Sequence, residues 1–274
     1  MVPIGIKTIA LPTPTTQPQI QVSPSPSSGI ETDSYAVVWV GSEETLIVRK
    51  PAGLSGIAVS DLAYDQRGIK LTGSSTQLGS STWVEIHTPA GGTGWVNSWN
   101  LTEDLLPIQF CGDTRVNSLI ETFVSSVIDQ DGEALSSTVH PERGLIIRHD
   151  WWNPDVIFVP DAVSGIFSDL TEIDWGVLGG SEFHIVGSFR QIMLPQMEDV
   201  FLASPEVKCN EIIAGVTNQG AIWPTELGNM NFYVFHRPSP EGGNKYDWRT
   251  LGIGIEYIDS QPNISVVIHY RGDI

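Results

Sequence analysis

The sequence predicts a mostly β molecule built from two folded units: a small all-β barrel, then an α+β domain with a mainly antiparallel sheet. Three observations lead there. The 274 residues exceed one ordinary domain and fall short of three, since domains run to roughly 100–200 residues. Glycine and proline are abundant, at 27 and 18, and tryptophan reaches 9, a composition of turns and strands rather than of long helices. Short apolar runs recur between turn clusters, and one strong helical stripe interrupts them. With 41% hydrophobic and 17% charged residues the chain has enough apolar surface to build cores, which excludes a wholly disordered protein.

The barrel is expected over residues 34–104. Tyr35–Val40 and Thr45–Arg49 are β-rich runs, the second ended by Lys50-Pro51-Ala52-Gly53. Thr82–His87 alternates, with Trp83, Glu85 and His87 on one face and Val84 and Ile86 on the other. A turn cluster, Thr88–Gly94, leads to Trp95–Trp99. About five strands in this length make a small barrel. Leu46-Ile-Val-Arg49 with its Pro/Gly turn, Trp83-Val-Glu-Ile86, and Gly94-Trp-Val-Asn97 with Leu101 resemble, in order, three motifs of the bacterial SH3 domain. The stretch Leu54–Gly79 departs from that pattern. The resemblance implies an SH3-like binding or spacing module for cell-wall peptide or glycan. Trp83, Trp95 and Trp99 are then candidate ligand contacts, although Trp83 and Trp95 better suit the barrel core.

The second unit is expected over 107–274. Leu105–Phe110 reads as a hinge strand. From Asp113 to Ile128 the apolar residues fall at 116, 119, 120, 123, 124, 127 and 128, the stripe of an amphipathic helix with Asp113 as N-cap. A short helix over Asp131–Val139 follows. Strands are predicted at 144–149, 188–193, 231–236, 251–257 and 264–269, which gives the α+β reading. His140-Pro-Glu-Arg-Gly-Leu145, Tyr246-Asp-Trp-Arg-Thr-Leu251 and Val267-Ile-His-Tyr-Arg-Gly-Asp-Ile274 resemble an uncharacterised C-terminal domain of bacterial surface lipoproteins. That resemblance brings no activity with it. It implies a chain outside the cell or on its surface, anchored through a lipoprotein signal that is removed.

Charge and termini narrow the partners. Fourteen basic residues against 32 acidic ones give a net charge of -18, which disfavours nucleic acid and anionic membrane surfaces. No apolar run reaches the roughly 18 residues of a membrane-spanning helix. Residues 1–33 read as a Pro/Thr/Ser-rich spacer, either a stalk or a plain tail. A stalk laid along a neighbouring copy would make a homo-oligomer. Sequons at Asn100 and Asn263 fit an extracellular chain.

Catalytic motifs are missing. The spacing of the six histidines fits no zinc motif, and neither a GxSxG elbow nor a P-loop occurs, so no cofactor or metal is expected. Cys111 and Cys209 fit no CxxC motif; in an exported chain they are expected to form one long-range disulfide that clamps the second unit, the alternative being two separate buried thiols. His140, Asp247, Arg249 and His269 are candidates for a polar cleft. Arg271-Gly-Asp273 matches an adhesion tripeptide that three residues arise as by chance. The functional expectation is a non-catalytic exported protein that binds envelope polymer or another surface protein. The alternatives are a structural subunit of an extracellular assembly and an envelope hydrolase that uses the SH3-like module for targeting.

Overall fold

The computed structural model describes residues 32–217 and 220–272 and is mostly β, with antiparallel sheets. The expected spacer over 1–33 lies, apart from Thr32 and Asp33, outside the described residues.

Seven strands make the first unit: β1 (Tyr35–Val37), β2 (Thr45–Lys50), β3 (Ile57–Ala63), β4 (Leu71–Leu78), β5 (Ser81–His87), β6 (Thr93–Asn97) and β7 (Leu101–Glu103). Their inward residues, among them Val37, Leu46, Val48, Leu62, Ile86, Val96 and Leu101, form one apolar cluster. Gly94 lets β6 close on β2, since a Cβ there would lie 2.5 Å from Val48 Cγ1. The expected closed barrel is corrected to an open sheet. Its order is β3-β2-β6-β5-β4, while β1 and β7 pair separately. The physical reason lies at the edges. Only Leu62 is buried on β3, and β4, Leu-Thr-Gly-Ser-Ser-Thr-Gln-Leu, buries none of its side chains fully. Neither edge carries the apolar row that would draw the two together into a ring.

The second unit begins with α1 (Pro107–Cys111), α2 (Thr114–Ile128) and α3 (Gly132–Ser136). It continues through β8 (Leu145–Arg148), β9 (Val156–Phe158), α4 (Pro160–Val163), β10 (Ile173–Val177), β11 (His184–Gly187) and α5 (Phe189–Phe201). Then come β12 (Glu206–Cys209), β13 (Asn231–Arg237), β14 (Arg249–Ile258) and β15 (Gln261–Arg271). Six strands form a sheet in the order β12-β13-β14-β15-β8-β9, with β15 and β8 its parallel pair. Asp113 caps α2 as expected, accepting the Arg115 N–H at 3.0 Å.

Two expected strands are helices. Leu105–Phe110 breaks at Pro107, whose ring suits the first turn of α1, and the Gln109 side chain accepts the Leu106 N–H at 3.1 Å. Ser188–Met193 opens α5 because Gln191 takes the Ser188 N–H at 2.9 Å. Phe189, Met193, Met197 and Val200 then bury at helical spacing.

This sheet is buried on both faces. One face packs α2 and α5 around Phe123, Met193, Ile253, Tyr257 and Val267. The other holds Ile146, Met230, Trp248, Val266, Ile268 and Tyr270, together with Val38 from the first unit. The alternation Leu251-Gly-Ile-Gly-Ile255 follows from this. Side chains at 251, 253 and 255 enter the helical core, while Gly252 and Gly254 leave room for Trp223, stacked 4.1 Å from Phe232. A disulfide joins Cys111 to Cys209, with Cα atoms 5.9 Å apart, and ties α1 to edge strand β12.

Candidate functional site

The first unit reaches into the second through Val38 and Trp39. Trp39 has φ 61°, a rare value for so bulky a residue, and its backbone N–H donates to Glu226 O at 2.7 Å. Nearby, the Asn100 amide donates to the Val38 and Trp39 carbonyls, so this sequon side chain is engaged at the junction. Beside it lies a cleft of about 310 Å³ between the two sheets.

Arg143 forms the floor of the cleft. Arg143 and Glu256 are each 2% exposed. Arg143 Nε stands 2.9 Å from Glu256 Oε2, off the hydrogen-bond line, and Nη2 donates to Oε1 at 3.2 Å. The same guanidinium donates to the Trp99 and Leu101 carbonyls and lies 4.7 Å from the Trp99 ring and 5.9 Å from that of Trp39. Ser265 donates to Glu256 Oε2, the oxygen that Arg143 Nε faces. Two buried charges are therefore almost fully compensated, and their partners come from both units.

His140 sits beside this pair. Its Nδ1 accepts the N–H groups of Glu142 and Arg143 at 3.1 and 3.0 Å, which places the ring proton on Nε2. Burial lowers its pKa to about 4; Arg143 adds to the effect and Glu256 opposes it. At the mouth, Glu103 is 8% exposed. Glu103 Oε1 accepts the Ser260 N–H at 3.1 Å, and Oε2 is buried without a partner. Burial, reinforced by Asp259, raises its pKa. Asp259 and Ser260 hold φ 48° and 61°, the two positive values of a tight hairpin turn between β14 and β15. Tyr257 closes the wall, donating to Asp113 at 2.7 Å, and burial pushes its phenol up. Four acids (Glu103, Glu142, Glu256 and Asp259) line the cleft against one arginine, so it suits hydrogen-bond donors and repels anions.

Of the three candidate tryptophans, Trp99 alone lines the cleft, with Tyr35 beside it. Its N–H is held by the Asn97 side chain at 3.0 Å. Trp83 is buried, and Trp95 stands half-buried opposite Arg49 and Glu85. The four candidates for a polar cleft separate. Arg249, Asp247 and His269 gather at one end of β14 and β15. His140 bonds to Ile264 O at 2.8 Å, five residues or roughly 17 Å along β15. His269 Nδ1 donates to His149 O at 2.8 Å, and burial lowers its pKa to about 3. Arg271 pairs with the fully buried Asp150 at 3.1 Å, which removes it from any exposed tripeptide; Asp273 lies outside the described residues.

No family model, curated protein or solved structure matches this chain.

Sequence reasoning missed Arg143, Glu256 and Glu103. Arg143 lay inside the motif His140–Leu145, and Glu256 was the lone carboxylate in an apolar strand. A carboxylate so placed must find a buried partner, and that signal was available. Glu103 becomes special only where the two sheets meet. Among the described residues no group of three or more His, Cys, Asp or Glu could hold a metal ion. None of the described helices is long and apolar enough to cross a membrane.

Proposed function

We propose that this is a non-catalytic, exported surface protein whose SH3-like first unit binds cell-envelope glycan or peptide, with the junction cleft as the ligand seat. The observation that carries the reading is Glu103 Oε2, a buried acceptor without a partner, in a cleft whose wall is the Trp99 ring. A sugar hydroxyl or a peptide N–H would satisfy that oxygen while its apolar face lies on the indole. The acidic lining favours neutral or amine-bearing polymers over anionic ones. The three motifs resembling bacterial SH3 domains support the module, and the disulfide supports an oxidising compartment.

The test is co-sedimentation with purified peptidoglycan, followed by titration with soluble glycan and stem-peptide fragments. Binding that Glu103→Gln and Trp99→Leu each weaken at least tenfold supports the reading. Catalytic turnover of those fragments, or undiminished binding by both variants, overturns it.

A further inference from the structure

A second pocket lies at the opposite end of β14, about 23 Å from Glu256 by strand rise. Its volume is about 490 Å³, and Trp152, Leu178, Tyr246, Asp247, Arg249 and Arg271 line it. Arg249 is the register partner of both Arg237 on β13 and Arg271 on β15, so three guanidiniums stand in a row across three neighbouring strands. Directly opposed like charges in a sheet repel. In a chain with 14 basic residues and a net charge of -18, such a row is conspicuous.

The carboxylates around the row are unevenly shared. Arg237 takes Asp199 at 2.9 Å and Asp247 at 3.0 Å. Arg271 takes Asp150 at 3.1 Å. Arg249 is left with Asp247 at 3.5 Å and the Trp248 carbonyl at 2.8 Å, and its buried Nε has no partner. Fully buried His269 and Asp150 leave Nε2 and Oδ1 unpartnered, but both are acceptors, so the cations and not these atoms favour an anion. Lys245 adds a further cation 5.0 Å from the Tyr246 ring. The middle arginine is thus under-compensated, it opens onto a roomy pocket, and aromatic side chains stand beside it.

We infer that this pocket binds a carboxylate carried on a ring, with Arg249 and Arg271 holding the carboxylate and Trp152 and Tyr246 receiving the ring. A planar carboxylate matches the fork of a guanidinium. The pocket is separate from the junction cleft, and its ligand is of the opposite charge preference.

The test uses the full chain and ligand-observed nuclear magnetic resonance with four probes: glucuronate, benzoate, glucose and inorganic phosphate. The expected result is saturable binding of glucuronate or benzoate, at least tenfold tighter than glucose and phosphate. The stronger of the two then tells a sugar acid from an aromatic acid. Arg249→Gln should weaken that binding at least tenfold, and Trp152→Ala should weaken it while leaving the thermal melt unchanged. Binding unaffected by both variants, phosphate binding as tight as that of the acids, or no saturable binding of either acid overturns the assignment.

Discussion

The two ends of the β14–β15 ladder treat buried charge in opposite ways. At the hairpin end, Arg143 meets Glu256, two carbonyls and two indole rings, and Ser265 donates to the same carboxylate. At the far end, three arginines share three carboxylates unevenly and leave Arg249 Nε, His269 Nε2 and Asp150 Oδ1 without partners. At one end the paired charges hold the two units together, with Arg143 Nε and the neighbouring Glu103 Oε2 left unpartnered; at the other the middle arginine itself is under-compensated. The contrast teaches that burial alone does not mark a binding site. The unspent donors and acceptors do.

The largest effect should come from breaking the saturated end. Glu256→Gln leaves Arg143 buried without a counter-charge and should cost about 3–5 kcal/mol, read from the urea midpoint. The double variant Arg143→Met, Glu256→Leu should recover much of that loss. A cost below about 1 kcal/mol for Glu256→Gln would show that the junction charges are not what holds the sheets. Reduction of the disulfide, whose cysteines are 98 residues apart, comes next, with a loss of about 2–4 kcal/mol. Because the first unit plugs Val38 into the second unit's core, both should melt in one transition that reductant lowers, and a first sheet that melts separately would break the comparison.

Acid should follow. His140 and His269 hold pKa values of about 4 and about 3 when folded, against 6.5 when free, so the unfolded chain binds more protons between those limits. Stability is therefore fully present above about pH 6.5 and is lost as pH falls, by about 2 kcal/mol per histidine at pH 5. His140→Gln and His269→Gln, melted across pH 5–7, would each flatten part of that slope. The smallest effect is Trp99→Leu, which removes the nearer indole from Arg143 and should cost about 1 kcal/mol of stability.

Much of this was legible in the sequence where local physics decides. The stripe of α2, its Asp113 cap and the strands at 45–50, 81–87, 231–237 and 261–271 follow from apolar period and turn chemistry. The disulfide was legible as the favoured of two readings. The barrel was not, because closure depends on what β3 and β4 do across space, and their polar edges speak only once the sheet is drawn. Ser188–Met193 misled for a related reason. Phe, Ile and Met suit a strand as well as a helix, and the helical reading needed Met197 and Val200 to be seen on the same stripe. The sites were the least legible part. His140 and His269 lie in motifs at the two ends of the second unit's sequence and meet β15 at different points, and the cross-strand row of arginines exists only through register.

The junction also bears on the order in which the chain can be completed during synthesis. Val37 O accepts the Asn229 amide 192 residues downstream, and Trp39 bonds to Glu226. At about 5–20 residues per second, the ribosome needs roughly 10–40 s to deliver those partners after Val37 has been made. Throughout that interval Val38 and Trp39 have no core to enter, although the first unit's own apolar cluster is complete by Leu101. A stalled or truncated chain would therefore display the same apolar hook that the finished protein hides.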